Sequence, residues 1–183
     1  MSTVKDLLDI PILYMELYRN DDAVKRVLLT STVGTITATA GSALVTVSDS
    51  ASLAVGYNLY QTDGTAIGTV ASVGSGTATL TSNAPDTYTG ALEVGIGWET
   101  AVSDAVLSLV RNGSGSSVID LALGDGITLD GDWAQFDFTS LVTTVRADRY
   151  VGDFRVELLD GSKLTLIILS VATVIQNRSN FNA

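Results

Sequence analysis

The chain has 183 residues, with 20 acidic against 10 basic side chains, a net charge of −10 and a pI near 4.1. That balance argues against binding to a nucleic-acid backbone, which needs clustered Lys and Arg, and against an anionic membrane surface. There is no cysteine and no histidine, so disulfides and thiolate metal sites are excluded, and the commonest general base and metal ligand are missing together. Charged residues make up only 16% of the chain and hydrophobic ones 46%, a composition that folds rather than stays disordered. Thr, Ser, Ala and Gly must then cover much of the surface, which suits burial against neighbouring proteins.

Residues 2–10 read as a short helix or a flexible arm, ended by Pro11. Lys5, Asp6 and Asp9 interrupt any apolar leader segment. From Ile12 the apolar period becomes two: Leu13, Met15 and Leu17 alternate with Tyr14, Glu16 and Tyr18, the mark of a half-buried strand. A polar turn at 19–22 leads to a second strand over 24–30.

Composition then shifts. From Ser31 to Gly97 there is no Lys or Arg, and Thr, Ser, Ala, Gly and Val dominate. Strands are predicted over 35–39, 44–48, 57–61, 66–73, 77–81 and 92–96, with turns at Gly41-Ser42, Asp63-Gly64 and Gly74-Ser75-Gly76. The segments TITATAGSALVTVSDSA (35–51) and GTVASVGSGTATLTSNA (68–84) look alike, and two similar hairpins can close a small barrel.

Charges return at Trp98. Strands are expected over 105–110 and 118–123, then a loop GDGITLDGD (124–132), then an alternating strand carrying Ala134, Phe136 and Phe138. Residues 139–148 hold a possible helical turn. Tyr150, Phe154 and Val156 mark one face of the next strand, and Asp160-Gly161 turns it into a strand from Lys163. The longest apolar run, 164–175, is too short to span a bilayer as a helix. The reading is a soluble all-β chain: an N-terminal arm at 1–11, a β-sandwich from 12–30 plus 98–175, an inserted β-barrel-like domain at 31–97, and a tail at 176–183.

Candidate chemistry is sparse. Asp125, Asp130 and Asp132 could offer oxygens to Ca²⁺, but the EF-hand spacing is missing and Asp-Gly pairs are also what turns use. A Ser-His-Asp arrangement is impossible without His, and neither GSGSS nor GSG is followed by the Lys-Ser/Thr of a phosphate loop. No enzyme activity and no cofactor are therefore expected. Arg146, Arg149 and Arg155 are expected to pair with Asp148, Asp153 and Glu157. Leu7, Leu8, Ile10, Tyr57, Tyr60 and Phe181 are the candidate contact residues, and an exposed cluster of Tyr57, Tyr60 and Tyr88 would instead suit a carbohydrate.

The order of NDDAVKRVLLT (20–30), DAVLSLVRNGSG (104–115), LGDGITLDGDWAQFDFT (123–139), RYVGDFRVELLDGSKLTLIIL (149–169) and VATVI (171–175) resembles an Ig-like module of tailed bacteriophages, the N-terminal domain of baseplate upper proteins. The 31–97 region resembles small β-barrel inserts of phage particle proteins. The resemblance lies in strands and turns rather than in chemical residues, and the fibre-bearing C-terminal region of that family is not expected within these 183 residues. It implies an Ig-like β-sandwich with an inserted barrel in a virion protein of the tail or baseplate. Its partners would be other virion proteins and copies of itself, with no nucleic acid and no membrane. Capsid decoration and receptor or carbohydrate recognition are the alternative roles.

Overall fold

The computed structural model describes residues 12–18, 24–111, 117–138 and 149–175, with side chains described over 24–111, 119–138 and 150–166. The alternating runs become strands: β1 (Ile12–Tyr18), β2 (Val24–Leu28), β3 (Ser31–Ala38), β4 (Leu44–Val47), β5 (Asn58–Tyr60), β6 (Ala66–Gly74), β7 (Thr77–Leu80) and β8 (Tyr88–Gly95). A one-turn helix α1 (Trp98–Ala101) precedes β9 (Val102–Arg111), β10 (Ser117–Leu123), β11 (Gly126–Asp130), β12 (Trp133–Asp137), β13 (Arg149–Leu158) and β14 (Lys163–Ile175). The protein is all-β, with an inserted barrel. It divides into two compact units, one holding Leu28–Ala101 and the other β1, most of β2 and the described residues from Val102 onward.

The second unit is a sheet in the order β1-β14-β13-β9-β10-β11-β12-β2. Phe154 of β13 and Phe136 of β12 lie four strand steps apart in that order, about 19 Å in a flat sheet. Their rings are nevertheless 5.0 Å apart at 84°. The sheet therefore folds over itself into two layers, with β10 turning the corner into β11 at Gly124-Asp125. The two strands share only the pairs Ala122↔Gly126 and Leu123↔Ile127. Layers β14-β13-β9-β10 and β11-β12-β2 have the strand order of an Ig-type sandwich, and the barrel is inserted between its second and third strands. β1 pairs with β14 in parallel from Ile12↔Ile168 to Tyr18↔Ile175. Between the layers lie Leu107, Leu109, Ile119, Ile127, Phe136 and Phe154, none more than 1% exposed.

One expected loop is a strand. In 124–132 the residues Ile127 and Leu129 point inward while Thr128 and Asp130 stay exposed, and Asp130↔Trp133 closes a hairpin with β12 through Gly131-Asp132. Four Gly and Asp residues at the ends hide an alternation only five residues long. The strand expected from Lys163 runs through the VATVI segment as one strand, β14.

The first unit is a closed six-strand barrel in the order β3-β4-β7-β6-β5-β8. Its interior is filled by small and branched residues, among them Ile36, Val45, Leu59, Val70, Ala78 and Leu92, as the narrow lumen of a six-strand barrel requires. The sequence repeat is present in space. Val45 pairs with Ala78 across β4–β7, and Tyr60 pairs with Glu93 across β5–β8; each pair is 33 residues apart in sequence. Two pairings of equivalent residues on opposite sides of the barrel define an internal two-fold axis, which relates β3-β4-β5 to β6-β7-β8.

The barrel unit reaches slightly beyond the expected 31–97. Trp98 of α1 is 1% exposed, and its indole N–H donates a buried 2.8 Å hydrogen bond to the Leu29 carbonyl, tying the two ends of the insertion together. Replacing Trp98 with Phe strands that carbonyl and leaves space behind, so the barrel should lose about 2 kcal/mol. Hydrogen exchange of barrel amides checks this; unchanged protection would refute the tie.

Candidate interaction surfaces

Strand β11 separates Asp125 from Asp130 and Asp132, which share the β11–β12 turn. Asp125 sits at the β10–β11 corner and Asp130 at the far end of β11, about 16 Å away at the usual strand rise. Asp130 accepts a 3.1 Å hydrogen bond from the Arg26 guanidinium, which also lies 5.2 Å from the Trp133 ring centroid. Asp132 is fully buried in the β11–β12 turn. Among the described residues no group of three or more acidic side chains is placed to hold a metal ion. Strand β11 thus sets Asp125 apart from the other two calcium candidates, Asp130 and Asp132. With Asp130 76% and Arg26 48% exposed, their pair is worth at most about 1 kcal/mol. It fastens the short β2 beside β12.

The tyrosines do not form a platform. Tyr60 is 9% exposed, held in β5 between β6 and β8, so its expected contact role is corrected: it belongs to the barrel. Tyr57 and Tyr88 pack partly buried against the barrel core, and the Tyr88 hydroxyl donates to the Ala91 carbonyl at 2.9 Å. Leu7, Leu8, Ile10 and Phe181 lie outside the described residues, as do the side chains of Arg146, Asp148 and Arg149. Arg155 does pair with Asp153, at 3.1 Å, while Glu157 takes Lys163 at 3.0 Å. These pairs border a shallow groove of about 200 Å³ lined by Asp104, Val106, Arg155, Glu157 and Lys163, whose charges largely neutralise one another.

Two turns carry the described carboxyls held below the ordinary aspartate range. In Asp63-Gly64-Thr65 the Thr65 amide, 2.9 Å from the carboxylate, is the main cause, with its hydroxyl second. In Asp160-Gly161-Ser162 the Ser162 hydroxyl leads and its amide follows at 2.9 Å. Each bond favours the ionised form, so its contribution is present above the unfolded-state value and lost as pH falls through the lower folded-state value. Carboxyl titration followed by NMR should show both midpoints below that of an Asp in an unstructured peptide. Midpoints at or above it would remove the assigned bonds.

A surface that the candidate residues missed is the barrel's outer wall. Thr89↔Thr37, Thr37↔Thr46 and Thr46↔Thr77 are successive register pairs across β8, β3, β4 and β7, so four threonines stand side by side on the outside. Thr37, Thr46 and Thr89 are exposed and Thr77 half-buried. The signal was available as the Thr-x-Thr spacings 35–37, 77–79 and 87–89, each placing two hydroxyls on one face of a strand. Among the described residues no helix is long and apolar enough to cross a membrane. No protein-family model, curated protein or solved structure matches the chain.

Proposed function

We propose that the chain is a non-enzymatic structural or adaptor component of a tailed-phage virion, associated with the tail or baseplate. Its partners in this reading are other virion proteins and copies of itself. One observation supports this most: a two-layer sheet of Ig-type order carries a barrel whose outer wall is clothed in hydroxyls and has no basic residue from Ser31 to Gly97. The barrel's strands β3, β4, β7 and β6 carry no charged residue and can be dehydrated against a neighbour without stranding a charge, the condition met at the centre of protein interfaces. Many modest contacts of this kind, repeated by particle symmetry, sum through avidity.

A capsid decoration protein would use the same physics and differs only in location. Glycan recognition is disfavoured by the burial of Tyr60 and the packing of Tyr57 and Tyr88. The test is direct: particles purified from a producing culture are digested and their peptides quantified. The chain should be present in repeated copies per particle, and labelled antibody should place it by electron microscopy. A chain found only in the soluble lysate overturns the proposal.

A further inference from the structure

Four neighbouring barrel strands, β3, β4, β7 and β6, contain no charged residue. They hold 25 residues together (8, 4, 4 and 9), a length in which an average soluble chain carries about six charges. The acids of this unit lie elsewhere. Asp49, Asp63 and Asp86 are in the connections between strands, Glu99 is in α1, and Glu93 is on β8. The β5–β8 pair that holds Glu93 is opposite the β4–β7 pair in the closed order. The internal two-fold axis therefore leaves the barrel at one charge-free pole and at one acidic pole.

We infer that the β4–β7 pole is a docking face for the same pole of a second copy of this chain. This rests on the proposed adaptor role and names one partner for it. Two features select a copy as the occupant. The insertion between Ser31 and Gly97 has acids but no Lys or Arg, so any other face brought against a like barrel sets carboxylate against carboxylate, whereas this pole meets none. Its polar groups are threonine and serine hydroxyls, which both donate and accept, so the face is complementary to itself. Leu44, 60% exposed, stands beside the centre of that pole, next to Val45 and in register with Thr79.

The size of the face sets the strength. Laid flat, four strands span about 19 Å and five residues about 17 Å along them, an upper bound because the strands curve around a closed barrel. That is roughly 300 Å² per partner, below the ~800 Å² of a standard interface. The self-contact is accordingly weak in solution and effective only when many copies are held together.

Sedimentation of the full chain across a dilution series reaching the millimolar range should show a reversible monomer–dimer equilibrium. Thr46→Glu and Thr79→Glu should each weaken it by about tenfold or more, with unchanged circular dichroism and melting. An equal mixture of Thr46→Glu and Thr46→Lys chains should recover the dimer, a result that generic loss of folding does not produce. A chain that stays monomeric throughout, or a dimer indifferent to these substitutions, overturns the inference. Wall-dependent dimers from a chain absent from particles leave this contact standing and remove the virion assignment. A chain abundant in particles yet monomeric at every concentration does the reverse.

Discussion

Gly152→Ala should destroy most of the sandwich's stability. Gly152 lies in β13 opposite Leu109 of β9 and Leu169 of β14, in the middle of the strongest part of the sheet. A Cβ there would run into the Ser108 carbonyl oxygen and come within 2.9 Å of Leu109 Cδ2. The side chain can rotate away, but the carbonyl belongs to the neighbouring strand and moves only if the ladder moves. The expected cost is about 3 kcal/mol or more. Gly124→Ala is the useful contrast. A Cβ at Gly124 meets nothing within 4 Å, so only its positive φ of 79° opposes the change, at about 1 kcal/mol. Urea unfolding followed by near-ultraviolet circular dichroism separates the two. A Gly152→Ala chain as stable as Gly124→Ala would show that β9 and β13 are not so closely apposed.

The second large effect is expected at Phe136 and Phe154. Both are at most 1% exposed, and their edge-to-face contact joins strands from opposite layers. Truncating either ring to Ala removes buried apolar surface and leaves a cavity, so each single change should cost about 3–5 kcal/mol. The double change should cost less than the sum by about 1 kcal/mol, the part that belongs to the ring pair itself. Strictly additive losses would mean that the layers do not meet at these rings.

These two sites also show how far the sequence can be read. Phe136 and Phe154 announce themselves through alternation, because a sheet with one buried face imposes a period of two on the residues that line it. The same rule gave β1, β3, β4, β7 and β13, and the Thr-rich repeat foretold paired hairpins. Gly152 gives no such notice: its role depends on a carbonyl more than forty positions earlier in the chain. β11 escaped because its alternation spans only Ile127 to Asp130 and is flanked by turn residues. The same strand sets Asp125 about 16 Å from Asp130, a distance that closeness in sequence does not reveal. Tyr60 was read as a contact residue on its aromatic character, but strand pairing on both sides seals it inside. The threonine rank was visible strand by strand, yet its lateral alignment is a property of register, which single strands do not encode.

The parallel pairing of β1 with β14 also determines how the sandwich carries mechanical load. Tension pulling residue 12 and residue 175 apart acts along both strands in opposite directions, so the seven register pairs from Ile12↔Ile168 to Tyr18↔Ile175 are stressed together and must give way at once. The hairpin β11–β12 is joined at one end, and pulling on its open ends peels one pair at a time. Single-molecule stretching should therefore record a higher rupture force across 12 and 175 than across 126 and 137.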